Sequence, residues 1–145
     1  MSNITIKEVN LENLREVCNL QVAEDQKGFV ADNTQSIAWS RYLPNLIPSA
    51  IYAGDTIVGF VLYGDWGEEN PGVWGIARFM IDAQHQGKGH GKAAMREVLC
   101  LIREKAPDTR AVNLSYVPQN DGARHLYASV GFRETGERWG DEVEA

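Results

Sequence analysis

The stretch Phe79-Met80-Ile81-Asp82-Ala83-Gln84-His85-Gln86-Gly87-Lys88-Gly89-His90-Gly91-Lys92 decides how the rest of this chain is read. An apolar strand runs into a glycine-rich turn, and the turn opens a basic helix. Glycine lets a backbone curl and approach a ligand with no Cβ in the way. Successive N–H groups at a helix start point outward, and the helix dipole favours an anion there. Lys88, Lys92 and Arg96 put positive charge where a phosphate would lie. This is the pattern of a phosphate or pyrophosphate cradle.

Spacing separates the kinds of cradle. A P-loop needs a glycine five residues before its Gly-Lys pair and a Ser or Thr after it; Gln86 and Ala93 stand there instead. A dinucleotide fingerprint starting at Gly87 and Gly89 meets Lys92 at its third glycine, and it normally follows a first strand, whereas this turn follows the fourth. A glycine-rich connection with no ligand would leave three cations without an acid unexplained. Residues 83–96 carry a charge of +3 within a chain of net charge -6, so the remainder carries -9. A basic island in an acidic chain points to one local anion site, disfavours non-specific nucleic-acid binding, and leaves a surface suited to cationic partners.

Composition sets the outer bounds. At 145 residues, 43% hydrophobic and 23% charged, the chain suits a single folded domain over 1–145 and is neither disordered nor collagen-like. No apolar run approaches the ~20 residues of a membrane span. The start, Met1-Ser2-Asn3-Ile4-Thr5-Ile6-Lys7-Glu8, has no basic region leading into an apolar one. We therefore expect no signal peptide, no membrane partner and a cytoplasmic location. Cys18 and Cys100 make neither a disulfide framework nor a metal clip, and each lies in an apolar-periodic stretch that predicts a buried thiol. The three histidines are scattered, so no metal site is expected.

Periodicity predicts an edge strand over 3–9 and a helix from an Asn10 cap to about residue 22, with Leu11, Leu14, Val17, Cys18 and Val22 on one face. A shorter helix follows Asp32 to about residue 42. Apolar runs at 50–53 and 56–63 meet at Gly54-Asp55, a hairpin signal. A loop over 64–72 precedes a strand at 73–82. The basic helix runs to about residue 105, ahead of Pro107. A strand at 111–117, a helix at 120–130 ended by Gly131, and a last strand at 132–138 complete the order, with the acidic 141–145 tail as a further strand candidate. This is an α/β chain with a mixed sheet of six or seven strands and four helices.

Two motifs carry a family resemblance. Gln86-Gly87-Lys88-Gly89-His90-Gly91 resembles the Q/R-x-x-G-x-G/A pyrophosphate motif of the GNAT superfamily of acyl-CoA-dependent N-acetyltransferases. Asn120-Asp121-Gly122-Ala123-Arg124-His125-Leu126-Tyr127-Ala128-Ser129-Val130-Gly131-Phe132 resembles that family's N-x-x-A-x-x-L-Y-x-x-x-G-F signature. The element order matches as well, and Arg78-Phe79-Met80-Ile81-Asp82 is similar to bacterial diamine and spermidine acetyltransferases. The resemblance implies a mostly antiparallel sheet splayed where acetyl-CoA inserts.

It also implies residue roles. Backbone groups of Phe79, Met80 and Ile81 would pair with the pantetheine arm; these three serve equally well as sheet core, and both readings hold together. Amides from Gln86, Gly87, Lys88, Gly89, His90, Gly91 and Lys92 would hold the pyrophosphate. Asn120 would contact the pantetheine, with Ala123 and Tyr127 flanking the thiol end. Tyr127 would be the general acid for the departing thiolate, where a Tyr taken by itself reads as a helix-face aromatic.

The nucleophile poses the harder problem. An amine of pKa near 10.4 is free base in only about one molecule per thousand at pH 7, a cost of roughly 4 to 5 kcal/mol. The position that bears a carboxylate in the polyamine enzymes is Ala77 here, which leaves Asp82, Glu69 and Glu68 as base candidates. For the acceptor, Glu24 and Asp25, Trp39 and Tyr42, and Glu68, Glu69 and Trp74 combine acids with aromatics, as a cationic ligand wants; core tryptophans beside solvated acids fit equally. The expected activity is transfer of acetyl from acetyl-CoA to a primary amine of a polyamine or diamine, by direct attack because no Cys or Ser is flagged as an acyl carrier. Two alternatives stay open: another small amine (an aminoglycoside or amino acid), and an acyl-CoA-binding module without catalysis. A homodimer is compatible with all three.

Overall fold

The computed structural model describes residues 3–24, 27, 32–67, 71–139 and 142–145. Its elements, in chain order, are β1 (Ile4–Glu8), α1 (Leu14–Asn19), α2 (Asn33–Ser40), β2 (Leu46–Ala53), β3 (Thr56–Asp65), β4 (Val73–Ile81), a 3-10 turn (Ala83–His85), α3 (His90–Lys105), β5 (Ala111–Tyr116), α4 (Asp121–Ser129), β6 (Arg138–Trp139) and β7 (Glu142–Glu144). The seven strands form one sheet in the order β1-β2-β3-β4-β5-β7-β6. Every pairing is antiparallel except β4 with β5. The expected mixed, mostly antiparallel sheet with four helices is what forms.

The sheet separates two apolar layers. One face carries Val58, Val61, Tyr63, Ile76, Leu114 and Tyr116 against α3 and α4. The other carries Phe60, Leu62, Ala50 and Met80 against α1 and α2. β3 is covered on both sides, which is why its sequence is a continuous apolar run rather than an alternating one. In α3, Ala94, Met95, Val98 and Ile102 are buried at helical spacing and lock the basic helix to the sheet. Fully burying a side chain of this size is worth about 1.5–3 kcal/mol, so an acid at Met95 would dislodge the helix that the glycine turn opens.

Several boundaries differ from the sequence expectation, and β2 starts at Leu46 rather than at residue 50. The first helix is α1 alone. Asn10 Oδ1 accepts from the backbone N–H groups of Glu12 and Asn13 (2.8 and 3.0 Å), closing a turn ahead of the helix. Leu11 stands exposed there. Beyond Asn19 the chain is pulled straight by bonds to the end of β4, from Gln21 N to Asp82 Oδ1 (2.8 Å) and from Ala83 N to Gln21 O (2.7 Å). At the C-terminal end, residues 132–137 do not form the expected strand; only β6 does, and the acidic tail supplies β7, which inserts between β5 and β6. α2 stops at Ser40 rather than near residue 42. Cys18 is half-buried and Cys100 exposed, against the expectation of two buried thiols. Among the described residues no helix is long and apolar enough to cross a membrane.

Candidate active site

The parallel pair β4–β5 is short. Val73 to Ile76 pair with Ala111 to Leu114, and beyond Ile76 the two strands part. The parting coincides with a bulge, because Leu62 faces Arg78 and Tyr63 faces Ile76, so that Ala77 is an extra residue in β4. β5 meanwhile turns its far edge to β7, with Ser115 opposite Glu144 and Tyr116 opposite Val143. Residues 77–81 are thus left without a partner on the β5 side. A cavity of about 590 Å³ fills the gap, walled by Ile76 to Ile81, by Ser115 to Val117, and by Ala123, Leu126 and Tyr127 of α4.

One end of this slot is the glycine turn. Asp82 caps the 3-10 turn, its Oδ2 accepting from Gln84 N (3.2 Å) while Oδ1 holds Gln21 N. Gln86 Nε2 donates to Ile81 O (2.9 Å) and ties the turn to the strand. Gly87 and Gly89 sit at φ +78° and +82°, and a Cβ on either would meet nothing within 4 Å. Backbone conformation, not packing, therefore demands glycine there, and the space beside both is open. Gly89 is the N-cap of α3, whose first-turn N–H groups lack helical acceptors. His85, Gln86, Gly87, Gly89, His90 and Gly91 line the cavity, while Lys88 and Lys92 are exposed outside it. No carboxylate among the described residues pairs with Lys88, Lys92 or Arg96. An open, donor-rich turn with unneutralised cations fits the diphosphate of a coenzyme A.

The other end is aromatic. Tyr127 is buried, with its ring 5.6 Å from Tyr116 and 6.0 Å from Phe132. Tyr116 donates its phenolic proton to Glu134 (2.6 Å), which also receives Arg124 Nε (3.3 Å). That hydrogen bond, with Arg124 alongside, holds the Glu134 carboxyl below the usual carboxylate range. Tyr127 has its pKa pushed well above that of a free phenol, first by desolvation and then by the Glu142 and Tyr116 charges. It faces the slot as a protonated donor across the neutral pH range. Asn120 also lines the slot, but its side-chain oxygen caps α4 by accepting from Ala123 N (3.1 Å), which leaves its amide nitrogen and backbone for a ligand.

Of the acceptor-side residues expected from sequence, the described ones, Glu24, Trp39, Tyr42 and Trp74, are not brought together. Glu24 is exposed and paired with Lys27 (2.9 Å). Asp25, Glu68 and Glu69 lie outside the described residues. Tyr42 is exposed and lines neither cavity. Trp74 packs on Tyr63 in the α3 layer, on the far face of the sheet from α1 and α2. Trp39 does reach the site, indirectly: the Arg78 guanidinium lies 5.0 Å above its ring. Asp82, a base candidate by sequence, has both carboxylate oxygens on backbone N–H groups.

Three features were not anticipated. Arg78 lines the slot with Nη1 on Ala77 O (2.7 Å), and its Nε is buried without a partner. Glu142 of β7 also lines the slot, where Ser115 Oγ donates to its Oε1 (2.8 Å). A second cavity of about 500 Å³ opens between α1 and α2, with Gln21, Asp32, Asn33 and Gln35 in its wall. It shares Val22 and Met80 with the slot, so the two meet across β4. The acidic 141–145 tail was a strand candidate in the sequence, but nothing local says which strand it joins. Among the described residues no cluster of His, Cys, Asp or Glu is placed to hold a metal.

The family model described as Acetyltransferase (GNAT) family matches residues 12–132. The chain is 29% identical over 140 residues to the spermine/spermidine N(1)-acetyltransferase of Bacillus subtilis (strain 168), covering 93% of this chain and 91% of that protein. Its fold is similar to spermidine N-acetyltransferase from Vibrio cholerae, solved in complex with CoA and spermine, with TM-score 0.74 at 15% identity over 99% of this chain and 95% of that one. It is similar also to aminoglycoside acetyltransferase AAC(6')-Ib, solved with coenzyme A and kanamycin, with TM-score 0.76 at 20% identity over 97% and 91% of the two chains.

Proposed function

Because the chain belongs to the acetyltransferase (GNAT) family, we propose that it moves acetyl from acetyl-CoA to a primary amine of a polyamine or diamine by direct attack. The observation that carries the reading is the slot itself, where β4 and β5 part between an open glycine cradle and the Tyr127 phenol. The polyamine part is supported by the 29%-identical relative over nearly the whole chain, and by the Asp32 carboxylate in the adjoining cavity.

When bound, acetyl-CoA supplies a thioester carbonyl as the electrophile. The chain's own residues do the rest. Amides from Gln86 to Lys92 hold the diphosphate, with Lys88 and Lys92 adding attraction from outside the slot. The free edge of Phe79, Met80 and Ile81 lines up the pantetheine arm, and Asn120 and Ala123 close the other side. Tyr127 gives its proton to the departing sulfur. Its raised pKa does not forbid this, because a thiolate expelled into the same desolvated cavity is destabilised by the same lack of water.

The test is thiol release with spermidine, putrescine, kanamycin and free amino acids, alongside calorimetry with coenzyme A. We expect binding of coenzyme A and turnover greatest with a polyamine. Binding without thiol release from any amine would make the chain an acyl-CoA-binding module instead.

Arg78 favours a second acceptor. A partnerless buried Nε on the slot wall suits an amine that also bears a carboxylate, such as an amino acid, and repels a polycation. Arg78→Ala decides between them: it should raise kcat/KM for spermidine if polyamines are the substrate, and lower it selectively for carboxylate-bearing amines if they are.

A further inference from the structure

We propose that Glu142 binds the ammonium group of the acceptor and takes its proton, working from the opposite face of the sheet to Tyr127. The inference rests on the acetyl-transfer reading above but not on which amine is the acceptor.

Strand register settles the faces. Ser115 is opposite Glu144, so Ser115, Glu144 and therefore Glu142 project to one side, as the Ser115–Glu142 hydrogen bond requires. Tyr116 and Val143 project to the other side, into the layer that holds Tyr127. The slot passes between them, and both Glu142 and Tyr127 line it. A thioester lying in the slot would then meet a carboxylate from the α1–α2 side and a phenol from the α4 side. That is the arrangement a direct transfer needs, with the amine arriving on one face and the sulfur leaving on the other.

The other described carboxylates near the slot are committed elsewhere. Asp82 caps backbone N–H groups through both oxygens. Glu134 serves Tyr116 and Arg124. Glu144 receives Thr135 Oγ1 and Trp139 Nε1. Asp32 caps α2 through Oδ1, accepting from Gln35 N, and lines the adjoining cavity rather than the slot. Glu142 spends only Oε1, on Ser115, and its Oε2 has no partner among the described residues.

The proton ledger closes. One proton passes from the ammonium to Glu142, and the freed lone pair forms the C–N bond to the acetyl carbon. The C–S bond breaks, and sulfur takes the Tyr127 proton. Glu142 releases its proton to solvent and then takes the second proton to leave the nitrogen, which it also passes to solvent, while Tyr127 regains one proton from solvent, so that one proton is released overall. The two groups are coupled, since the Glu142 charge is one of the causes holding the Tyr127 pKa up. A proton arriving on Glu142 therefore makes Tyr127 a better acid at the moment the sulfur needs one. The other charged or titratable groups that line the slot are Arg78 of β4, His85 of the 3-10 turn, His90 of α3 and Tyr116 of β5, with Asp121, Arg124 and His125 elsewhere on α4, Arg138 on β6 and Glu144 on β7.

The experiment is the pH dependence of kcat/KM for the best amine, in wild type and in Glu142→Gln, with coenzyme A affinity measured on both. Wild type should be nearly flat from neutral to mildly alkaline pH. Glu142→Gln should bind coenzyme A normally, lose about 100-fold at neutral pH, and regain rate with pH as free amine becomes available. Equal activity, or a loss of the same factor at every pH, overturns the proposal. Glu142→Asp, still charged and one methylene shorter, should be slower than wild type while keeping its flat profile; a profile that rises with pH overturns it too. Wild type inactive with every amine would instead defeat the acetyl-transfer reading itself.

Discussion

The rings of Tyr116 and Tyr127 lie 5.6 Å apart and inclined at 52°, yet their hydroxyls are in different employment. Tyr116 is bound to Glu134 at 2.6 Å, whereas the Tyr127 hydroxyl has no hydrogen-bond partner among the described residues. Both line the slot, so burial alone does not separate them as candidates for the proposed proton donor. The hydrogen bond leaves the Tyr127 hydroxyl as the uncommitted one, which supports its proposed role.

Tyr127→Phe should lower kcat by about 100-fold or more, with coenzyme A affinity held within about twofold. Tyr116→Phe removes a phenol already committed to Glu134 and should cost far less turnover. Steady-state kinetics beside calorimetry reads both. Equal losses in the two variants would remove the distinction between them.

Burial of Tyr127 also has a signature in stability. Its folded-state pKa lies above the ordinary value of 10.0, as do those of Tyr63 and Tyr116. The native state therefore keeps protons that the unfolded state gives up. The stabilisation is fully present below the unfolded pKa and is lost as pH climbs above it toward the folded one. Urea titrations from pH ~9 to ~11 should show stability falling, and falling less steeply in Tyr127→Phe. Superimposable slopes would argue that Tyr127 is solvated.

Gly89→Ala tests the cradle. A methyl group there meets no atom within 4 Å, but φ stays at +82°, a region that costs a non-glycine residue about 1–2 kcal/mol. Relaxing it would turn the α3 amides away, so coenzyme A affinity should fall about tenfold or more with a modest drop in Tm.

Gly75 reports on the second layer. The Trp66 indole lies directly over it, with Nε1 donating to Asn113 Oδ1 (2.6 Å) and the ring edge-on to Trp139 at 5.8 Å. A Cβ on Gly75 would have to displace that ring. Gly75→Ala should cost about 1–3 kcal/mol, or roughly 3–10 °C in Tm. An unshifted melting curve would mean that the indole moves freely.

Local chemistry made much of this molecule readable in advance. The cradle, the α3 and α4 helices, the Gly54-Asp55 hairpin and the strands β1 and β3 to β5 each rest on interactions within a few residues: glycine conformation, helical spacing, apolar runs and alternation. Those are properties of the chain itself, and they brought Gly87 and Gly89 into view before any fold was known, whereas Phe79 to Ile81, Asn120 and Tyr127 were pointed out by the resemblance of their motifs to a family. What tertiary structure alone decided were relationships between distant segments. α1 stops early because Asp82, sixty-one residues on, binds Gln21. The tail reaches the slot because β7 adds to β5, and Glu142 thereby lines it, a residue that was not among the expected base candidates. Arg78 became a wall of that slot through the Ala77 bulge, and Trp74 was lost to the opposite face. Such contacts depend on sheet order and register, and a one-residue change in register sends a side chain to the other face. No short window of sequence holds that information.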